Sequence, residues 1–227
     1  MNTSQLDISP ADVIGEGEFG TVFKAFYCGI RVAVKKLNIP ENATQYQLED
    51  FKYEMEREID ILKNLRHPNI VSMISSNHEF IVMELYDGDA SDIKSYLEMA
   101  IVSRDCMGAL MYMQANDECV MHGDIKPQNI LVKRGHNGRI VKAALGDIGL
   151  SRVCNIYNNW QGTPGYMPEL NPYVNPTHDI FALIVSVLDG YFHERVSSAF
   201  EGEFKNNSWE FIASLPKDIY PLHRICT

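Results

Sequence analysis

The sequence predicts an α+β fold of two lobes: a small, β-rich amino-terminal lobe with one helix, and a mainly helical carboxy-terminal lobe. Three observations carry that class. Between Thr21 and Val34, β-branched and aromatic runs flank a turn at Cys28-Gly29, the pattern of strand, turn, strand. From about Gln45 to Leu65, apolar residues recur at helical spacing. Beyond an acidic, glycine-bearing step at Asp87-Gly88-Asp89, the chain reads as helix again over 91–114. We place the lobes at 1–83 and 89–227, with 84–88 as the hinge. The 227 residues suffice for two small lobes with a real core.

Composition narrows the partners. With 45% hydrophobic and 22% charged residues, the chain has the make-up of a soluble globular protein. A net charge of −10 argues against a duplex nucleic-acid binder; it suits basic protein partners, although a solvated acidic surface is its plainer meaning. Cys28, Cys106, Cys119, Cys154 and Cys226 are scattered without a C-x-x-C, so reduced thiols are expected, with no zinc site. The amino terminus lacks a basic-then-apolar signal pattern. The longest apolar run, Ile180 to Leu188, is too short to span a bilayer. A monomeric, intracellular protein without membrane contact is the expectation, placed in the cytoplasm with the nucleus left open.

Taken in order, the first element is G-E-G-E-F-G-T-V (15–22), with glycines at 15, 17 and 20. Glycine lets the backbone approach a ligand and offer N–H groups to phosphate oxygens. The spacing is shared with dinucleotide-binding folds, but those need a helix straight after the glycines. Here Thr21-Val22-Phe23 follow instead, which places the glycines in a β-hairpin flap. Lys35 ends the Val32-Ala33-Val34 strand on the face opposite Val34, and Lys36 points to solvent. A lone lysine there is ordinarily a surface residue. It gains meaning from Glu58, which sits inside the apolar stripe of Leu48, Phe51, Met55, Ile59, Leu62 and Leu65. A carboxylate on a buried face needs a cation, and Lys35 is the candidate.

His67-Pro68-Asn69 stops that helix, and Ile70-Val71 is expected to open the next strand. Phe80 to Met83 reads as a buried strand. In the helical region, Met99, Met107, Met111 and Met113 read as core filler. The loop C-V-M-H-G-D-I-K-P-Q-N-I-L (119–131) gathers His122, Asp124, Lys126 and Asn129, which could steer a hydroxyl, neutralise phosphate and hold a metal. Alone it is equally well explained as an ordinary polar turn. A second hairpin turns at Asn137-Gly138 and delivers Gly146-Asp147-Ile148-Gly149. After a polar segment comes G-T-P-G-Y-M-P-E (162–169), and then a buried helix that begins near Asp179 with its acidic end first.

Assembled, these residues resemble the eukaryotic-type protein kinase family over nearly the whole chain. The resemblance implies a two-lobed protein kinase fold and ATP with Mg²⁺ as cofactors. Gly15, Gly17 and Gly20 would cover the phosphates, and Lys35, from V-A-V-K, would bind them. Glu58, from E-I-D-I-L-K-N-L, would hold that lysine. H-G-D-I-K-P-Q-N would supply the catalytic Asp124, the phosphate-contacting Lys126 and the metal ligand Asn129, and D-I-G the metal ligand Asp147. Ile14, Val22, Ala33, Met83, Glu84, Tyr86 and Leu131 would line the adenine site, with Met83 as gatekeeper and Glu84 to Tyr86 as hinge. Lys126 two residues beyond Asp124, with Thr163 in G-T-P-G-Y, is the placement of serine/threonine kinases. Val32 to Leu37 look most like the tyrosine-kinase-like serine/threonine group, and the compactness is similar to kinases of large DNA viruses.

Three features depart from the family pattern. Gly123 stands where an arginine usually precedes the catalytic aspartate, so a phosphate on Ser151 or Tyr157 would lose its usual partner unless Arg152 supplied one. Ile148 replaces a phenylalanine, and M-P-E replaces A-P-E. The chain ends early for this fold, which implies a shortened carboxy-terminal lobe. The expected function is a serine/threonine protein kinase acting on a protein hydroxyl. The alternative is a kinase-like decoy that binds and inhibits a cellular kinase or its substrate.

Overall fold

The structure, a computed structural model, describes residues 6–17, 20–40, 42–115, 119–153, 162–167, 175–193 and 197. Its first part is a five-stranded antiparallel sheet of β1 (Leu6–Gly17), β2 (Gly20–Tyr27), β3 (Ile30–Leu37), β4 (Met73–Ser76) and β5 (Phe80–Glu84), in the order β1-β2-β3-β5-β4. The glycine flap is the closed end of the β1–β2 hairpin, where Gly17 faces Gly20. Strand alternation on β3 sorts its residues. Val32 and Val34 bury on one face with Ala25 and Val82, and Lys35 turns to the other.

Helix α1 (Gln45–Asn64) begins at Thr44, whose hydroxyl caps Gln47 N–H while the Gln47 side chain returns to the Thr44 N–H. That reciprocal cap sets the helix phase at its start. Met55, Glu58, Ile59 and Leu62 are its buried residues, while Glu49, Glu56 and Asp60 are exposed. The expected strand at Ile70-Val71 does not open there. Ile70 bridges Leu145, and Val71 N–H donates to Leu145 at 2.8 Å, so these residues bind the second half of the molecule and β4 starts later.

That second half holds a three-stranded sheet, β6 (Gly88–Asp89), β8 (Ile130–Arg134) and β9 (Ile140–Leu145), and a short pair, β7 (Val120–Met121) with β10 (Arg152–Val153). Helices α2 (Tyr96–Ala115) and α3 (Thr177–Phe192) pack together beside them. Helix α2 starts at 96 rather than 91, because the preceding residues are bound elsewhere. Ala90 N–H donates to Pro127 and Ile93 N–H to Gly190. A Cβ on Gly190 would come within 2.0 Å of the Ala90 oxygen, so only glycine admits that crossing. Met99 and Met113 are core residues and Met107 packs against the core, but Met111 is 65% exposed and is not filler.

Strand β9 is an edge strand, and α2 covers it with two buried carboxylates. Glu98 accepts the Ile140 N–H and Asp105 the Ala143 N–H, each at 2.9 Å. An edge whose N–H groups are satisfied in this way cannot recruit another strand. Helix α3 is apolar nearly all round and correspondingly buried. No described helix is long and apolar enough to cross a membrane. Cys106 carries a free, buried thiol, but Cys119 is disulfide-bonded, which corrects the all-reduced expectation. Proximity in space decides such pairing, and linear spacing does not reveal it.

Candidate active site

Lys35 and Glu58 meet across the sheet–helix interface. The ammonium lies 2.9 and 2.7 Å from the two Glu58 oxygens and 2.9 Å from Asp147 Oδ1. Lys35 and Glu58 are both buried, while the Asp147 side chain is half exposed. Burial works against the charge on Lys35, but the two carboxylates override it and hold the amine above its ordinary value. Burial, joined by repulsion from Asp147, pushes Glu58 up despite the ion pair. For Asp147 desolvation acts the same way, yet the Lys35 ammonium wins and holds the carboxyl below its ordinary value. One ammonium is thus shared between two carboxylates.

Asp147 reaches this place through a left-handed backbone (φ 52, ψ 71) at the start of a 3₁₀ turn, Ile148–Leu150. The turn is fastened from several sides. Gly146 N–H donates to Asn129 and His122 Nε2 lies 2.9 Å from the Gly146 oxygen. Arg57, next to Glu58 on α1, donates to the Gly149 carbonyl and pairs with Glu54. Ile148 is fully buried in the main core, so the position keeps its packing role without an aromatic ring.

The loop after β7 is anchored from below by Asp179, near the start of α3. Its carboxylate accepts His122 N–H at 2.8 Å and Gly123 N–H at 3.0 Å. Burial pushes this carboxyl up, and the His122 and backbone contacts pull against that shift. Gly123 has φ +83, and a Cβ there would meet the Leu150 oxygen at 2.9 Å. A glycine is therefore what this backbone path requires. Asp124 follows, 7% exposed, and several donors converge on its carboxylate. Thr163 Oγ1 donates to Oδ1 at 2.6 Å, Thr163 N–H to the same oxygen at 3.1 Å, and Lys126 lies 2.8 Å from Oδ2. Lys126 also donates to Thr163 Oγ1 at 3.1 Å, so the threonine hydroxyl bridges the two.

Asn129 spends its amide N–H groups on Asp124, at 2.8 Å to the backbone oxygen and 3.0 Å to Oδ2. Its Oδ1 accepts no hydrogen bond among the described residues. With the half-exposed Asp147 carboxylate, this makes an all-oxygen donor set. Mg²⁺ takes such a set, since it binds through one or two carboxylates and leaves other positions to water and phosphate. The residues present fit that ion.

The remaining expected site residues lie along one side of the sheet and the connecting segment. Val22 pairs with Lys35, Ala33 with Met83, and Leu131 with Asp89. Gly15 stands against Val22, Ile14 is 44% exposed, and Leu131 presses on Gly146. Glu84 and Tyr86 are held by Lys133 of β8, which pairs with Glu84 at 3.3 Å, donates to the Leu85 carbonyl and lies 4.7 Å over the Tyr86 ring. Ser151 is 1% exposed, with its hydroxyl on the His122 carbonyl, so it is not presented for modification. Tyr157, Pro168 and Glu169, and the Arg152 side chain, lie outside the described residues.

Asp179 is the anchoring residue that the sequence expectation passed over. The available signal was a charge at the head of an apolar helix, where a buried carboxylate needs partners. Asp179→Ala leaves two buried backbone donors unpaired, at about 1–3 kcal/mol each. A loss of roughly 2–6 kcal/mol in urea unfolding is expected, with Asp179→Asn intermediate; an unchanged midpoint would remove Asp179 from this anchoring role.

The fold and this cluster define a protein kinase domain. The family model described as "Protein kinase domain" matches residues 9–215, and the chain belongs to that family. Among curated relatives it is similar to "Serine/threonine-protein kinase VIK" of Arabidopsis thaliana, 29% identical over 70% of this chain and 37% of that protein. It is 33% identical to "Probable serine/threonine-protein kinase kinX" of Dictyostelium discoideum over 72% of this chain and 16% of that protein. For "Serine/threonine-protein kinase TIO" of Arabidopsis thaliana the identity is 32%, over 82% and 14%. The chain thus spans well under half the length of each of these three relatives.

Proposed function

We propose that this chain transfers the γ-phosphoryl group of Mg-ATP to serine or threonine hydroxyls of a basic protein. The observation that carries the proposal is Asp124, whose carboxylate is held by Thr163, Lys126 and Asn129 close to the Lys35–Glu58–Asp147 cluster. Bound Mg-ATP supplies the phosphoryl group and a counter-ion for its charge. Gly15, Gly17 and Gly20 would cover the phosphates, and Met83, Glu84 and Tyr86 would border adenine together with Ile14, Val22, Ala33 and Leu131. Lys35 would neutralise phosphate charge, held in place by Glu58, while Asp147 and Asn129 Oδ1 would hold the metal. Asp124 would orient the acceptor hydroxyl and take its proton. Lys126, already at Asp124 Oδ2, would stabilise charge on the transferring group. Phosphoryl transfer is largely positioning and charge neutralisation, which these side chains can provide.

The acceptor is expected to be serine or threonine because a phenolic oxygen reaches several ångströms farther from its backbone. Errors of about 1 Å in placement can cost roughly 10²-fold in rate, so one platform at Gly162 to Met167 rarely serves both. Labelled-phosphate transfer to basic proteins, followed by phosphoamino-acid analysis, tests this. Mostly phosphotyrosine would refute the acceptor class, and nucleotide binding without any transfer would favour the decoy. Thr163→Val breaks the bridge to Asp124 and Lys126, and a loss of about 10²-fold in transfer is expected. Undiminished transfer would confine Thr163 to a turn.

A further inference from the structure

We infer that Lys133 is a positioning residue for nucleotide binding, which fixes residues 84–86 against β8 before adenine arrives. The inference rests on the reading of those residues as the border of an adenine site. Lys133 itself is assigned no contact with nucleotide, metal or acceptor.

The connecting segment is bound to β8 in different ways along its length. Past residue 86 the backbone does it alone. Asp87 N–H donates to the Val132 carbonyl at 2.9 Å, and Gly88 and Asp89 pair with Val132 and Leu131. From 84 to 86 one side chain takes the place of that ladder. The Lys133 ammonium donates to the Leu85 carbonyl, lies 3.3 Å from Glu84 Oε1 and stands 4.7 Å from the centre of the Tyr86 ring. No other described donor reaches the Leu85 carbonyl. An ammonium only donates, so a carbonyl, a carboxylate and a ring face can share it.

The strand that carries this lysine also carries part of the site. Alternation puts Lys133 on the same face of β8 as Leu131, whose side chain a Cβ on Gly146 would strike at 2.7 Å. The residue that braces the connection and one expected to line the adenine site therefore move as one piece. An exposed ion pair with Glu84 alone would contribute little. Here the Lys133 side chain is 30% exposed and Tyr86 is 7% exposed. Lys142 stands directly opposite Lys133 on β9, 5.8 Å from the same ring. Like charges so placed repel, which favours the Lys133 ammonium staying on the Glu84 carboxylate and the Leu85 carbonyl.

The competing role for Lys133 is a link that holds the fold and leaves the nucleotide unaffected. Mant-ADP with Mg²⁺ is titrated onto the full chain by fluorescence, and adenosine and inorganic tripolyphosphate are then used to displace it. Lys133→Met keeps an apolar stem beside Tyr86 but removes the ammonium, and Lys133→Arg restores both donor and charge. Lys133→Met is expected to weaken mant-ADP and adenosine about tenfold, because binding must then order the connection itself. Tripolyphosphate needs only the phosphate side of the site and is expected to stay within about twofold. Lys133→Arg is expected to recover most of the adenosine affinity. Unchanged adenosine binding in Lys133→Met overturns the assignment. So does an equal loss of adenosine and tripolyphosphate, which marks a general loss of structure. A wild type that binds no nucleotide removes the adenine site and this assignment together. Adenosine binding that depends on Lys133, without phosphate transfer to any protein, sinks the kinase activity and leaves Lys133 in its positioning role.

Discussion

Asp124→Asn is expected to lower phosphate transfer by roughly 10²–10⁴-fold, the usual worth of a positioned general base, while nucleotide binding survives. The reason is in the contacts. Thr163 donates to one carboxylate oxygen, and Lys126 and Asn129 meet the other. An asparagine amide presents N–H groups where one of those oxygens stood, so it faces a donor with a donor and can take no proton from the acceptor. None of these contacts involves Lys35 or Asp147, and Asn129 meets Asp124 through its amide nitrogen, leaving the Oδ1 assigned to the metal untouched. Single-turnover transfer of labelled phosphate, with nucleotide titration alongside, checks both halves. Full transfer by the variant would remove Asp124 from catalysis, and lost nucleotide binding would move it to the other side of the cleft.

Lys35→Met is expected to abolish useful transfer and to destabilise the fold by about 3–5 kcal/mol, the cost of breaking a buried ion pair from one side. Glu58 is 5% exposed and already shifted upward by burial. Without the ammonium it would stay buried near Asp147 with only Arg57 to offset its charge. Glu58→Gln should be milder, because the amide oxygen can still accept from Lys35 and Asp147 still balances the lysine. Urea unfolding and transfer assays on both variants make the comparison. Equal stability of Lys35→Met and wild type would mean that the pair is a consequence of the fold and contributes little to it.

Much of this site is local enough to be legible along the chain. The glycine flap, the Lys35 strand, the Glu58 helix phase and the 122–129 loop depend on periodicity and turn chemistry, and each appears where those patterns place it. The helix phase alone was sufficient to set Glu58 on the buried face, since only one stripe of α1 is apolar. What the sequence could not determine depends on partners distant in the chain. Ile70-Val71 has strand composition but bonds Leu145, and residues 91–95 have helical composition, but Ile93 is held by Gly190 and the preceding Ala90 by Pro127. Cys119 is disulfide-bonded although its spacing implied nothing. Asp179 and Asp189 are acidic residues on one apolar helix. Only the tertiary structure separates them, setting Asp179 beneath the His122-Gly123 backbone and Asp189 against an open cavity. A charge's role follows from what faces it in space, and periodicity reports only which side of its own element it occupies.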